Sequence, residues 1–161
     1  MMNISIIAVG KLKESFWREA IAEYSKRISR YAHFEITELP ESRLSDNPSE
    51  SEILSALSAE AKLMQPYLEK KGAYNIAMCI EGKLISSEEL AAEIDSSGVN
   101  GFSCINFFIG SSFGLADAVK KSCRLRMSMS KMTLPHQLAR VVLSEQIYRA
   151  LTINAGVRYH K

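Results

Sequence analysis

Residues 104–128, CINFFIGSSFGLADAVKKSCRLRMS, decide the fold class of this chain. The run from Cys104 to Ile109 is apolar, aromatic and too short for a stable helix, so it reads as a buried strand. Gly110 to Gly114 is a loop of small residues where backbone can approach a ligand closely. Ala116 to about Cys123 is a short helix, and RLRMS is a further strand. A strand–helix–strand unit of this length is the building block of a parallel sheet. Outward from it the same alternation recurs. NISIIAV (3–9) is a buried strand, Ser15 to about Tyr31 an amphipathic helix, and FEITEL (34–39) a strand stopped by Pro40. Asn47 followed by Pro48 reads as an N-cap and first helical residue, opening a helix that Pro66 ends or kinks. YNIAMCI (74–80) is a strand followed by a Glu81-Gly82-Lys83 turn. Ser86 with Glu89 forms a capping box that starts a helix to about Asp95. Pro135 opens a last helix to about Ile153, with apolar residues on two flanks. The expected fold is one α/β domain, residues 1–161, with a mostly parallel sheet and helices on both faces. Strand order is not legible from this pattern. Ligands of such sheets bind beyond the strands' carboxyl ends, which selects the loops after Ile80, Ile109 and Ser128.

With 161 residues, 47% of them apolar, the chain can bury one sizeable core. The apolar stretch from Ile4 to Val9 is too short for a signal peptide, and no run approaches the ~20 residues of a membrane span. A soluble, cytoplasmic protein with no membrane partner is expected. Three cysteines, Cys79, Cys104 and Cys123, follow no metal-ligand spacing and read as reduced thiols. The net charge of +2 conceals a division: residues 118–161 contain nine Lys/Arg against the single acid Glu145. Lys120, Lys121, Arg124, Arg126, Lys131, Arg140, Arg149, Arg158 and Lys161 form a candidate surface for a polyanion such as nucleic acid.

The chemical motifs are mostly negative. IGSSFG matches neither the dinucleotide nor the Walker glycine pattern, no nucleophile elbow is present, and His33, His136 and His160 form no metal-ligand pair, so no metal is expected. MSMSKMTLPH (127–136) is more informative. Its methionines and Leu134 stand beside small polar residues ahead of a proline-initiated helix, where an adenine can pack on apolar side chains and bond to open backbone groups. Core filling is the competing explanation. The terminal RYHK offers Arg158, Tyr159 and His160 for stacking on an unstacked base, unless the chain end frays.

AVGKLKESFWREAIAEYSKRI (8–28), IEGKLISSEELA (80–91), FFIGSSFGL (107–115), SMSKMTLPHQLARVVLSEQIYRA (128–150) and the closing YHK resemble the ribosomal RNA large subunit methyltransferase H family, of the SPOUT class. The resemblance runs from end to end. It implies a C-terminal deep trefoil knot, a homodimer, S-adenosylmethionine as cofactor, and methylation of N3 of a pseudouridine in 23S rRNA of the assembled ribosome. By position, it implies cofactor contacts from Met78, Gly110, Met129, Ser130, Lys131, Met132, Thr133 and Leu134. The family usually carries leucine at position 78 and a second glycine at 111, where glycine would permit positive φ or close approach. Transfer to N3 requires a route for a weakly acidic proton. Arg140, one helical turn after His136, is the candidate to stabilise charge on the uracil ring, and His136, Tyr159 or His160 to relay the proton. Two other readings stand beside this one: a SPOUT methyltransferase acting on tRNA, and a non-catalytic ribosome- or RNA-binding protein of the same fold.

Overall fold

The computed structural model describes all residues, Met1–Lys161. Five strands form one sheet: β1 (Asn3–Val9), β2 (His33–Leu39), β3 (Ala73–Leu84), β4 (Cys104–Ile109) and β5 (Leu125–Ser128). Their order is β2-β1-β4-β3-β5, and every pairing is parallel. Five helices cover it: α1 (Ser15–Ile28), α2 (Glu50–Leu68), α3 (Ser87–Val99), α4 (Asp117–Ser122) and α5 (His136–Asn154).

The alternation of side chains along the central strands explains the two layers. Ile4, Ile6 and Ala8 of β1 and Ile105, Phe107 and Ile109 of β4 face a core shared with α1, α3 and α5. Ile7, Val9 and Phe108 face the opposite core, shared with α2 and α4. Both faces of these strands are covered, which is why their sequences read as unbroken apolar runs.

Several boundaries differ from the sequence reading: α1 ends at Ile28 rather than about Tyr31, and α3 continues to Val99 rather than about Asp95. Helix α2 starts two residues later than Asn47-Pro48 suggests, because Ser49 is the N-cap and forms a reciprocal capping box with Glu52. Pro66 neither ends nor is followed at once by the end of α2, which continues to Leu68; so close to the terminus, one missing N–H is tolerated. Strand β3 runs through the expected 81–83 turn to Leu84, shifting register between Met78 and Lys83 so that Lys83 and Leu84 pair with β5. Gly82 makes this possible, since a Cβ there would lie 2.7 Å from the Met127 carbonyl carbon.

The last helix is displaced from the strand that precedes it. β5 sits at the sheet edge beside β3, yet α5 packs between α1 and α3, and its start lies at the end of β1. Residues 129–135 therefore cross the carboxyl ends of β3 and β4, between the exit of β3 toward α3 and the exit of β4 toward α4. This crossing at the carboxyl ends of the strands is where the resemblance places the knot. No helix is long and apolar enough to cross a membrane.

Candidate functional site

The three loops selected by strand ends converge on one cleft. It has a volume of about 670 Å³, within the range of small-molecule sites. Met78 and Cys79 come from β3, Ile109 to Leu115 from the turn after β4, and Met127 to Ser130 with Met132 to His136 from the bend before α5. Seven of the eight residues expected to contact the cofactor line it: Met78, Gly110, Met129, Ser130, Met132, Thr133 and Leu134. Lys131 does not; it is exposed and outside the lining.

Local chemistry fixes two of the walls. In the bend, the Ser128 hydroxyl donates to the Ser130 carbonyl at 2.9 Å, and the Ser130 hydroxyl accepts from the Met132 N–H at 3.0 Å. Serine side chains thereby replace the backbone ladder where the strand ends. In the turn after β4, the Gly114 N–H donates to the Ser111 carbonyl at 2.8 Å. Gly110 has no room for a side chain, as its Cβ would lie 2.1 Å from the Gly114 carbonyl oxygen. Ser111 needs no positive φ, since no residue other than glycine adopts one. Half of the lining residues are apolar, among them Met78 from β3 and Met127, Met129 and Met132 from β5 and the bend that follows it. That is the composition an adenosyl group requires, so these residues fit the expected cofactor.

The mouth of the cleft carries charge. Lys120 of α4 pairs with Glu81, whose carboxyl it holds below the usual range. Cys79 is pushed up, first by burial and then by Glu81, so it is a thiol and not a nucleophile at neutral pH. Burial pushes Cys123 up to about 12. All three cysteines are free.

The four residues expected to act on the base separate into three places. His136 lines the cleft. Its Nε2 and Glu41 Oε2 both approach Gly10, at 4.0 and 3.4 Å from where a Cβ on that glycine would stand. Arg140 does not reach the cleft. Its side chain is fully buried, donating to the carbonyls of Gly10 at 3.2 Å and Val9 at 3.5 Å, with Glu38 Oε2 3.6 Å from Nη1. The expected contact with charge on the uracil ring is replaced by a hold on the end of β1. The same burial removes Arg140 from the candidate polyanion surface. Arg149 is paired with Glu145, Lys120 with Glu81, and Arg124 lies over the Phe102 ring at 4.8 Å. Lys121, Arg124, Arg126, Lys131, Arg158 and Lys161 are the exposed members.

The tail is docked rather than frayed. Tyr159 donates to Glu145 at 3.1 Å and meets Tyr148 edge-on with ring centroids 4.7 Å apart, while His160 Nε2 lies 2.7 Å from Glu88. Glu145 follows His136 by nine residues, which is about 14 Å and two and a half turns of α5. Tyr159 and His160 therefore lie across the helix from His136 of the same chain.

Two acids near the cleft carry no signature in the motif reading. Glu41 stands in a polar segment read as a turn. Glu60, in the middle of α2, is 3% exposed, and burial raises its carboxyl above the usual range. A carboxyl with a raised folded pKa binds more protons folded than unfolded, so its contribution to stability falls as pH rises through that value. Glu60→Gln should accordingly unfold at a higher temperature than the wild type at pH 8, with the gap closing as pH falls below the raised range. Thermal melts of both proteins from pH 4 to 8 check this; a gap constant with pH contradicts it.

The family model described as "Predicted SPOUT methyltransferase" matches residues 2–160. A Streptococcus pneumoniae protein named "Ribosomal RNA large subunit methyltransferase H" is 45% identical over 160 residues, covering 99% of this chain and all of that protein. Among solved structures, a probable methyltransferase from Bordetella pertussis superimposes with a TM-score of 0.57 at 13% identity, over 93% of this chain and 95% of that one. A probable methylase family protein from Haemophilus influenzae gives 0.53 at 15%, over 99% of this chain and 71% of that one. These two structures share the fold. The parallel sheet, the cleft at its carboxyl ends and the full-length match converge: this chain belongs to the SPOUT methyltransferases, and among them to the ribosomal RNA large subunit methyltransferase H family.

Proposed function

We propose that this protein transfers the methyl group of S-adenosylmethionine to N3 of a pseudouridine in 23S rRNA, acting as a homodimer on the assembled ribosome. The observation that carries the reading is the convergence of three strand-end loops, with Met78, Gly110 and the 129–134 bend, on one cleft sized for a nucleoside. The name of the 45% identical relatives supports the substrate class.

The donor supplies a methyl group already activated on a sulfonium, so the protein's task is alignment, exclusion of water and management of one proton. The Met129, Met132 and Leu134 side chains with the Gly110 turn hold the adenosyl portion. Lys131, turned outward on the same bend, meets the RNA backbone. His136, which lines the cleft, takes up the N3 proton. Arg140 acts indirectly, fixing the start of α5 against β1 so that His136 keeps its place.

The homodimer reading rests on the separation of His136 from Tyr159 and His160. A two-fold copy packed along α5 brings the partner's tail to the cleft and unites what one chain keeps apart. His136→Ala and His160→Ala should each be inactive alone. After subunit exchange their mixture should regain about a quarter of wild-type activity, since half the dimers are mixed and one site of each is intact. No regain means that the tail and His136 serve one chain.

The activity is tested with isotopically labelled donor, intact ribosomes, free rRNA and tRNA, followed by mass spectrometry of nucleosides. Label in a 3-methylpseudouridine from ribosomes is expected. Label in tRNA, or none with a chain that binds the donor, rejects the proposed substrate.

A further inference from the structure

The basic stretch 118–161 supplies few free cations to the cleft. Arg124 sits over Phe102, ahead of the amino end of β4, whereas the cleft opens at the carboxyl end of that strand. Arg126 is exposed on the edge strand β5, Lys120 is paired with Glu81, and Arg158 and Lys161 belong to the docked tail. Lys131 alone stands exposed on the bend of the cleft. An RNA that offers a base to the cleft brings its flanking phosphates to the same end of the sheet, so further cations are needed there. The strap after β1, residues 10–14, is placed to supply them. β1 is the neighbour of β4, with Ala8 opposite Ile109, so the strap leaves the sheet beside the Gly110 turn. It also adjoins His136, whose Nε2 would lie 4.0 Å from a Cβ on Gly10.

The backbone of the strap is tied down from four directions. The Gly10 N–H donates to the Leu39 carbonyl at 2.8 Å, and Arg140 donates to the Gly10 carbonyl at 3.2 Å. The Leu12 N–H donates to Glu38 at 3.2 Å, and Arg18 donates to the carbonyls of Leu12 at 3.1 Å and Lys13 at 2.5 Å. Leu12 itself is buried. What this leaves free is the side chains of Lys11 and Lys13. Both are exposed, on either side of Leu12, and neither lies within ion-pair distance of a carboxylate, although Glu14 and Glu41 are near in the chain or in space. In the first turn of α1, Phe16 is 58% exposed, its ring against Trp17 with centroids 4.7 Å apart. Two unpaired cations on a fixed backbone, followed by an exposed aromatic ring, match a nucleic-acid strand: phosphates meet the ammonium groups and a splayed base meets the ring. A strap already fixed loses little conformational freedom on binding. We propose that residues 10–16 are the RNA-docking element of the site, with Lys11 and Lys13 holding phosphates that flank the target nucleotide and Phe16 stacking on an unstacked neighbouring base. This rests on the rRNA reading of the cleft. It also gives Arg140 a second consequence, since the guanidinium that fixes α5 against β1 fixes the strap as well.

The test measures ribosome KM and kcat over a series of salt concentrations, donor affinity by calorimetry and oligomeric state by sedimentation. The proteins are the wild type, Lys11→Ala/Lys13→Ala, Lys11→Arg/Lys13→Arg, Phe16→Ala and a control, Lys70→Ala/Lys71→Ala. The control removes the same charge from an exposed pair just before the amino end of β3, away from the cleft. Lys11→Ala/Lys13→Ala should raise ribosome KM about tenfold and make the fall of log kcat/KM with log salt shallower by about 1.4, the loss of two phosphate contacts on a single strand. Phe16→Ala should also raise ribosome KM about tenfold but leave the salt slope unchanged, because stacking releases no counterion. The arginine pair keeps both charges, so it and the control should stay within about twofold of the wild-type KM. Donor affinity and oligomeric state should match the wild type throughout. Wild-type ribosome KM in the two strap variants, an equal rise in the control, or a parallel loss of donor affinity each overturn the proposal. Altered sedimentation of Phe16→Ala assigns this face to a second copy of the chain and overturns it too. A wild type that methylates tRNA, or no RNA, rejects the rRNA reading and this inference with it; a wild type active on ribosomes, with intact KM in the strap variants, rejects this inference alone.

Discussion

Gly110→Ala is expected to reduce donor affinity by about a hundredfold while leaving the chain folded. A Cβ at this position would stand 2.1 Å from the Gly114 carbonyl oxygen and 2.3 Å from its carbon. Both are backbone atoms of a turn closed by its own hydrogen bond, so no flexible side-chain tip can move aside. The turn must open, and it forms one wall of the cleft. Overpacking of this kind costs about 1–3 kcal/mol, and a loss near the upper end corresponds to about two decades in Kd when it falls on the binding conformation. The strand itself is unaffected, since Cys104 to Ile109 keep both buried faces. Gly98→Ala is the control: its added Cβ meets only the flexible end of Met2, at 3.2 Å, and donor affinity should not change. Calorimetric titration of both variants decides. Wild-type affinity in Gly110→Ala would mean that the donor does not lie against this turn.

What the sequence disclosed follows from how local each feature is. β1 and β4 were legible to within a residue because both their faces are buried, which leaves an uninterrupted apolar signature. The extension of β3 was not, because it depends on Gly82 meeting Met127 from another strand. The cleft was legible for a topological reason: whatever the strand order, loops at the carboxyl ends of parallel strands lie at one edge of the sheet. The interior of the site was less so. Arg140 looked like one basic residue among nine, and its partners, Gly10 and Glu38, stand about a hundred residues away in sequence. Glu60 left no trace either. The stripe expected for α2 was Ile53, Leu54, Leu57, Ala61 and Met64, whereas packing buries Ala56, Glu60 and Met64 and leaves Leu54 exposed.

Arg140→Ala should lower the stability of the fold more than any other single change at the site, by about 3 kcal/mol. The side chain is fully buried, and truncation leaves both a cavity and the carbonyls of Val9 and Gly10 without their donor. Burial lowers its pKa and the field of Glu38 opposes this, yet a guanidinium stays charged at any working pH. Its charge is therefore held by one partly exposed carboxylate and two carbonyls, an arrangement that tolerates neither loss nor reshaping. For a chain of this length the expected fall in Tm is about 10 °C. Arg140→Met, which keeps most of the volume, should lose about half as much, and Glu38→Gln less again, because its side-chain oxygen can still accept from the Leu12 N–H. The catalytic alternative makes the opposite pattern. An arginine that stabilises charge on the base would, when replaced by methionine, leave Tm nearly unchanged and reduce kcat by about a thousandfold. Melting curves together with single-turnover methylation at a temperature where all variants are folded separate the two, and a large loss of rate without a loss of stability would return Arg140 to the chemistry.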